Sequence, residues 1–207
     1  MIKTILFDMD DVICSYDFVG RLQRLEHLTG VPAAEIRTRI FDSGFEDIAD
    51  GGAYTASEYL EEVSDLLGKS VDREGWVKAR AETTIPRPDM LALARDVRAH
   101  CEIALLTNNG WLMAESLPNM LPDIVDVFES NVFVSAQVGA SKTSPNAFTT
   151  LLPMLDWHPE TTLFVDDFPD YIKSAKSAGL QTHLFTDLDS LRVDLSRLGV
   201  LFGLLSG

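Results

Sequence analysis

Four aspartates stand in two pairs, each directly after a short apolar run. Asp8 and Asp10 follow the first such run, and Asp166 and Asp167 follow a later one. If both runs are parallel strands, their carboxyl ends meet at one edge of a sheet and the four carboxylates converge. Converging carboxylates repel one another unless a cation neutralises them, and oxygen ligands suit Mg²⁺. The two pairs together therefore predict a magnesium site, although either pair alone is more often solvated or caps a helix.

Hydrogen-bond donors follow two other apolar runs. Thr107 offers a hydroxyl and Asn108 an amide, and Lys142 lies in a polar loop further along the chain. A lone lysine before a helix is usually a solvated surface residue, but this one falls at the predicted ligand-binding edge. A carboxylate nucleophile, a cation, a hydroxyl and an ammonium together suit phosphoryl transfer. The cation and the lysine neutralise the phosphoryl oxygens, and the carboxylate forms an acyl phosphate.

The elements that must position these side chains alternate along the chain. Five apolar runs read as buried strands, and three helical patterns lie between them. The strands are predicted at 4–7, 103–106, 132–134, 163–165 and 182–185, and the helices at 88–99, 145–155 and 171–178. This alternation predicts an α/β fold with a doubly wound parallel sheet.

The segment 17–84 interrupts the alternation, because it shows helical spacing and no convincing strand. Its patterns predict about four helices, one of them opened by the capping box Thr55–Glu58. We expect an α/β core of residues 1–16 and 85–207 with a helical cap, residues 17–84, inserted after the first strand. An ordinary packing subdomain is the simpler interpretation, but the insertion stands above the ligand-binding edge and favours a lid. Five of its side chains are candidates to reach the site: Phe18, Arg21, Arg24, Phe41 and Phe45.

Charge and composition exclude several classes of function. The 207 residues include 17 basic and 32 acidic side chains, a net charge of −15, which disfavours nucleic-acid binding. No apolar run is long enough for a membrane span. The two cysteines form no CxxC pair, which favours a reduced, cytoplasmic protein. We expect a monomer or weak homodimer, with the apolar tail 198–207 packed on the core or, less favoured, at a dimer contact.

The motifs Asp8-Met9-Asp10, Thr107-Asn108, Lys142 and Asp166-Asp167 resemble, in this order, the four motifs of the haloacid dehalogenase-like (HAD) hydrolase superfamily. The resemblance covers nearly the whole chain. The helical insertion resembles the small cap of the first subclass. The run 107–142 is similar to bacterial phosphatases of the α-D-glucose-1-phosphate phosphatase type. The resemblance implies a Mg²⁺-dependent phosphatase acting on a small phosphorylated metabolite, with a sugar phosphate as the favoured substrate.

The resemblance also implies roles for the acids. Asp8 is expected to be the nucleophile and a magnesium ligand. Asp10 is expected to be the general acid and base, with its backbone carbonyl on the metal. Asp166 and Asp167 are expected to hold magnesium, and the sequence leaves open which of them does so through water.

The remaining motifs are expected to bind phosphate. Thr107 and Lys142 would hold the phosphoryl oxygens, Lys142 would orient the nucleophile, and Asn108 would contribute its backbone amide. One position departs from the family pattern, because Asp11 stands where glycine is common. Its side chain either disturbs the turn after the first strand or points to solvent.

Three alternatives compete with a phosphatase. A dehalogenase of the same superfamily needs no metal and typically lacks an acid at the position of Asp10. A receiver domain has similar groups in another chain order and no inserted cap. A non-catalytic relative is disfavoured by the intact motif set. The acids therefore favour the metal-dependent phosphatase.

Overall fold

The computed structural model describes residues 1–200 of the chain. Seven strands lie within this part: β1 (Thr4–Phe7), β2 (Cys14–Tyr16), β3 (Thr84–Pro86), β4 (Glu102–Thr107), β5 (Val132–Val134), β6 (Thr162–Asp166) and β7 (Gln181–Leu184). Five of them form a parallel sheet in the order β5-β4-β1-β6-β7. The predicted doubly wound α/β fold is thus confirmed.

The helices fall into two groups along the chain. The first group lies between β2 and β3: α1 (Phe18–Thr29), α2 (Ala33–Ile36), α3 (Phe45–Asp50), α4 (Ala56–Leu67) and α5 (Arg73–Ala81). A π-helical turn, Arg37–Phe41, continues α2. The second group surrounds the sheet: α6 (Pro88–Arg98), α7 (Trp111–Met120), α8 (Pro122–Phe128), α9 (Ser135–Val138), α10 (Pro145–Met154), α11 (Pro169–Ser177) and α12 (Leu188–Arg197).

Both faces of the sheet are buried, which explains why its strands are continuously apolar. In β1, the side chains of Ile5 and Phe7 pack in one apolar cluster with α6, α8 and α12. Leu6 points to the opposite face and packs with Phe148 of α10 and Ala175 of α11. The sheet is therefore a rigid layer between two layers of helices.

The first group of helices, which we call the helical insertion (Phe18–Ala81), forms a separate apolar cluster that Leu112 of α7 joins. Its helix α1 ends at Gly30, whose φ of 70° is a left-handed conformation that glycine adopts without strain. The predicted capping box opens α4, since Thr55 and Glu58 exchange hydrogen bonds. The sequence patterns predict about four helices here. The structure adds α3, so the insertion contains five.

The antiparallel ribbon of β2 and β3 connects the helical insertion to the sheet. Ser15 pairs with Ile85, and the two strands are only three residues long. Neither strand was predicted. The chain thus enters and leaves the insertion at adjacent points.

Cys14 and Cys101 are buried free thiols. Within residues 1–200, no helix has the length and apolar character that crossing a membrane requires. Val200 packs in the core of the sheet layer, and the rest of the predicted tail contact, residues 201–207, lies outside the described residues.

Candidate active site

The register of the sheet brings the first and last acidic motifs together. Phe7 of β1 is aligned with Val165 of β6, so the next residues, Asp8 and Asp166, lie side by side at the carboxyl ends of the two strands. The backbone N–H of Asp8 also donates to the carbonyl of Val165 at 2.9 Å. Both aspartates are buried. The structure therefore places two of the predicted acids in contact range at one edge.

Lys142 lies between these two carboxylates. Its Nζ donates to Oδ1 of Asp8 at 2.5 Å and to Oδ2 of Asp166 at 2.7 Å, and the residue is only 1% exposed. Burial by itself lowers the pKa of a lysine, but the two carboxylates outweigh that effect and raise the pKa of Lys142. The side chain is a fixed buried cation and not a solvated surface lysine.

Asp167 completes a cluster of acids around the same point. One carboxylate oxygen from each of Asp8, Asp166 and Asp167 lies within 4.8 Å of the others. Burial raises the pKa of Asp8 well above its ordinary value, Lys142 opposes this shift and the Asp166 carboxylate adds to it. Burial and then Asp166 likewise raise the pKa of Asp167. Three carboxylates against one ammonium leave a deficit of positive charge, and an oxygen-only donor set of this kind fits a hard divalent cation.

Asp10 stands at the edge of the cluster and makes a different contact. Its two carboxylate oxygens accept hydrogen bonds from Nη2 of Arg80 at 2.7 and 2.5 Å. Arg80 belongs to α5 of the helical insertion and is 4% exposed. The guanidinium group of Arg80 also stacks on the ring of Tyr16, with its carbon 3.7 Å from the ring centroid. The side chain of Asp10 is thus directed towards the insertion, away from the oxygens that could hold a metal.

Arg80 belongs to none of the four sequence motifs, although the sequence carries a signal for it. Trp76 and Arg80 are four residues apart in one helix and so lie on the same face. Trp76 is an aromatic residue of α5 and is 1% exposed. A basic residue on the buried face of a helix needs a counter-charge. That face alone predicts an acidic partner for Arg80.

Thr107 and Asn108 lie where β4 ends. The Thr107 hydroxyl is buried and accepts a hydrogen bond from Nδ2 of Asn109 at 2.8 Å. Asn108 uses its side chain to fix the lysine loop, because its Oδ1 accepts from the backbone N–H of Lys142 and its Nδ2 donates to Ser141, both at 2.8 Å. The Asn108 side chain therefore positions the lysine loop, in addition to the backbone role predicted for this residue.

An open cleft of about 190 Å³ joins these groups. All four sequence motifs line it, and Phe168 and Tyr171 of the loop and helix after β6 form an aromatic wall, with ring centroids 4.8 Å apart. The cleft is lined by Asp8, Asp10, Asp11, Thr107, Asn108, Lys142, Asp167, Phe168 and Tyr171. The structure therefore brings the predicted site residues to one place, with Asp166 buried beneath them.

The structure explains the unusual Asp11. Its φ is 58°, a left-handed conformation that favours glycine but that aspartate tolerates better than most residues. The side chain is exposed, and its Oδ1 accepts a hydrogen bond from the backbone N–H of Tyr16 at 3.2 Å. The acid therefore stays outside the carboxylate cluster and braces the turn before β2.

The five candidate residues of the insertion have different placements. Arg21 is 9% exposed, and its guanidinium carbon lies 5.0 Å from the ring centroid of Phe41. Phe18 packs against the same ring, and Phe45 is buried in the core of the insertion. Arg24 instead pairs with a glutamate, Glu82, on the surface. Of the five, Arg21 lines a cavity next to the cleft.

The chain is similar to known phosphatases over most of its length. Phosphatase MT3486 of Mycobacterium tuberculosis (strain CDC 1551 / Oshkosh) is 28% identical over 218 aligned positions, which cover 97% of this chain and 96% of that protein. D-ribitol-5-phosphate phosphatase of Bacteroides thetaiotaomicron is 25% identical over 192 positions, which cover 88% of this chain and 91% of that protein. Both relatives match nearly end to end, so the similarity includes the helical insertion as well as the sheet.

A solved structure shows the same fold. A HAD family enzyme from Bacteroides thetaiotaomicron, in complex with magnesium and inorganic phosphate, matches with a TM-score of 0.75 at 20% identity, covering 92% of this chain and 99% of that one. The family model described as haloacid dehalogenase-like hydrolase matches residues 2–179. This chain therefore belongs to the haloacid dehalogenase-like hydrolases.

Proposed function

We propose that this protein is a Mg²⁺-dependent phosphatase that hydrolyses a small phosphate monoester through an aspartyl phosphate on Asp8. The observation that carries the proposal is the position of Lys142, buried between Asp8 and Asp166 with Asp167 close by. Three carboxylates and one ammonium leave a net negative charge that a divalent cation would neutralise, and Asp8 is positioned to act as the nucleophile. The phosphatases among its relatives support the same conclusion.

Asp8, Asp166 and Asp167 would hold the magnesium ion, and the backbone carbonyl of Asp10 is a further donor in this proposal. The ion supplies positive charge that neutralises the phosphoryl oxygens and the acid cluster. The magnesium and phosphate complex of the Bacteroides enzyme supports this assignment.

Asp8 and Lys142 both act in the first step, the transfer of the phosphoryl group to the enzyme. Lys142 holds Oδ1 of Asp8 through its ammonium, which leaves Oδ2 to attack phosphorus. The bond from Asp8 to phosphorus forms as the bond to the ester oxygen breaks. Thr107 and Lys142 stabilise the charge on the phosphoryl oxygens, and the backbone amide of Asn108 assists.

Asp10 would transfer the protons. It gives a proton to the leaving alcohol in the first step and takes one from the attacking water in the second, so its protonation state is restored at the end of the cycle. This acid and the pair Asp166-Asp167 favour a phosphatase over a dehalogenase, which needs neither a metal nor a proton donor for its leaving group.

The helical insertion would act as a lid that contacts the alcohol part of the substrate. Residues 17–84 form this cap in our proposal, and residues 1–16 and 85–207 form the core. A sugar phosphate is the favoured substrate, because the sequence resembles glucose-1-phosphate phosphatases and one relative is named for D-ribitol 5-phosphate.

The test is hydrolysis of p-nitrophenyl phosphate with Mg²⁺ and with EDTA. We expect activity that requires Mg²⁺ and that Asp8→Asn abolishes. Asp170→Asn is the matched control, since Asp170 is exposed on α11 close to the same edge but outside the acid cluster. Full activity in EDTA would contradict the proposal and favour a metal-independent hydrolase.

A further inference from the structure

Ser135 is a fully buried residue outside the four sequence motifs, and it follows β5 directly. Its hydroxyl oxygen accepts a hydrogen bond from the backbone N–H of Asn109 at 3.0 Å. The same oxygen lies 2.8 Å from the backbone carbonyl of Asp50 and 3.2 Å from that of Asn109. Because the Asn109 carbonyl already accepts from the N–H of Ala136, the single hydroxyl hydrogen goes to Asp50. Ser135 therefore joins the loop after β4 to the last residue of α3 in the helical insertion.

The Asp50 carbonyl depends on this contact. It belongs to the last turn of α3, where carbonyl groups have no partner within the helix. Within residues 1–200, the hydroxyl of Ser135 is the only group that donates to it. Removing that hydroxyl would leave a carbonyl of the insertion and the N–H of Asn109 without partners at the same time.

The helical insertion is packed closely on the core around Ser135. Gly52 has a φ of 86°, and a Cβ at this position would lie 2.7 Å from the carbonyl oxygen of Ala136. A Cβ at Gly110, just before α7, would lie 3.3 Å from the carbonyl oxygen of Ala49. The two glycines thus allow the end of α3 to approach the core closely enough for the hydrogen bond to Ser135.

Asn109 extends the contact to a predicted phosphate-binding group. Its backbone is held by Ser135 and Ala136, and its Nδ2 donates to the hydroxyl oxygen of Thr107 at 2.8 Å. Because the Thr107 oxygen accepts this bond, its own hydrogen must point elsewhere. No acceptor within residues 1–200 takes that hydrogen, and Thr107 lines the cleft. The Thr107 hydroxyl is therefore oriented as a donor towards the cleft.

We propose that Ser135 is a positioning residue for phosphoryl transfer, which acts through Asn109 to direct the Thr107 hydroxyl at a phosphoryl oxygen. The inference rests on the proposed phosphatase function and adds to it a residue that does not touch the substrate. Fixed donors stabilise the charge of a transition state without having to reorient during the reaction. The bond from Ser135 to Asp50 includes the helical insertion in this arrangement, because the loop of Asn109 is fixed only while the end of α3 is seated on Ser135.

The test is a double-mutant cycle in kcat/KM for p-nitrophenyl phosphate with Mg²⁺. Ser135→Ala should lower kcat/KM by about twofold to tenfold, the effect of one hydrogen bond between uncharged groups. Thr107→Val should lower it by about tenfold to hundredfold, because that hydroxyl bonds to a charged group. Adding Ser135→Ala to Thr107→Val should change kcat/KM by less than about twofold, since the hydroxyl that Ser135 positions is gone.

Ser174→Ala is the matched control for this cycle. Ser174 is a buried serine of α11 whose hydroxyl has no hydrogen-bond partner among the described residues, so kcat/KM should stay unchanged. If Ser135→Ala lowers kcat/KM by the same factor with and without Thr107→Val, the serine is only structural and the positioning role is overturned. If circular dichroism shows that Ser135→Ala does not fold, Asn109→Ala, at a half-buried position, gives the same comparison.

Gly52→Ala tests the contribution of the insertion. The added Cβ pushes the end of α3 away from Ala136, so kcat/KM should fall by a similar factor, and that loss should also vanish in the Thr107→Val background. Gly68→Ala is the control, since Gly68 has a φ of 64° and no atom lies within 4 Å of the added Cβ. A loss that persists in the Thr107→Val background overturns the part assigned to Asp50. These results leave the phosphatase standing, whereas a wild type that does not hydrolyse p-nitrophenyl phosphate overturns the proposed function itself.

Discussion

The ammonium of Lys142 lies 2.5 Å from Oδ1 of Asp8 and 2.7 Å from Oδ2 of Asp166, so a single cation joins the ends of the neighbouring strands β1 and β6. The lysine comes from a loop that follows α9, far from both aspartates in sequence. Lys142, which is proposed to bind phosphate, is therefore also expected to stabilise the fold. Removing its charge should affect both catalysis and stability.

Lys142→Met should lower the free energy of unfolding by about 3–5 kcal/mol in EDTA, because it leaves buried carboxylates without a counter-charge. Mg²⁺ should reduce that loss, since the ion supplies charge at the same cluster. Urea denaturation with and without Mg²⁺ measures both effects. Lys173→Met, at an exposed position of α11, is the control and should change stability little. Equal losses with and without Mg²⁺ would show that the ion does not bind beside Lys142.

The metal-free protein should lose stability as the pH rises from about 4, the ordinary value for aspartate, towards 8. The pKa values of Asp8 and Asp167 are raised in the folded state, so these groups bind protons more tightly when folded, and that stabilisation disappears as they ionise. Mg²⁺ requires the ionised carboxylates, so its stabilising effect should grow over the same range.

Melting temperatures in EDTA and in Mg²⁺ across this pH range test the prediction. Asp8→Asn should flatten the slope in EDTA, and Asp170→Asn should retain it. A metal-free protein that becomes more stable towards pH 8 would contradict the assigned direction of these pKa shifts.

Asp8→Asn and Asp10→Asn should fail at different steps. Asp8→Asn has no nucleophile, so no phosphoryl group should become attached to it. Asp10→Asn lacks the base for hydrolysis, and p-nitrophenyl phosphate needs little help to leave, so the phosphoenzyme should accumulate. General base help of this kind contributes about 10²–10⁴-fold. Intact-protein mass after an acid quench should show one added phosphoryl group on Asp10→Asn, and a label on Asp8→Asn would place the nucleophile elsewhere.

Asp11 should tolerate glycine and reject a branched side chain. At a φ of 58°, Asp11→Val should lower the free energy of unfolding by about 1–2 kcal/mol. Asp11→Gly removes the strain as well as the hydrogen bond from Tyr16, so the two effects offset each other and stability should change little. Urea denaturation of both variants in Mg²⁺ measures the difference. If valine and glycine behave alike, the left-handed turn does not constrain this position.

Local patterns were enough to predict the sheet. The predicted bounds of the five parallel strands and of three helices agree with the structure to within two residues. The acids that end β1 and β6 meet because parallel strands share an edge, a rule that needs no knowledge of packing. The strands and the acid cluster were thus accessible from the sequence.

Other features have no local signature. The strand β2 is too short to show an alternating pattern, α3 begins after Gly44 without a capping side chain, and α7 contains Pro118. The buried face of α5 indicates that Arg80 needs an acidic partner, but nothing local identifies that partner as Asp10, which is 70 residues away. Such contacts depend on how the insertion packs on the sheet, which the spacing of residues does not encode.

The ribbon of β2 and β3 has a mechanical consequence. The chain enters the helical insertion through β2 and leaves it through β3, and these two strands run side by side. Any rigid-body rotation of the insertion therefore pivots on this ribbon. Displacement in a rotation grows with distance from the axis. Arg80 lies four residues before β3 and Asp10 four residues before β2, so their contact is close to the pivot, where travel is short. The far end of the insertion can swing widely while the guanidinium stays within a small distance of the carboxylate.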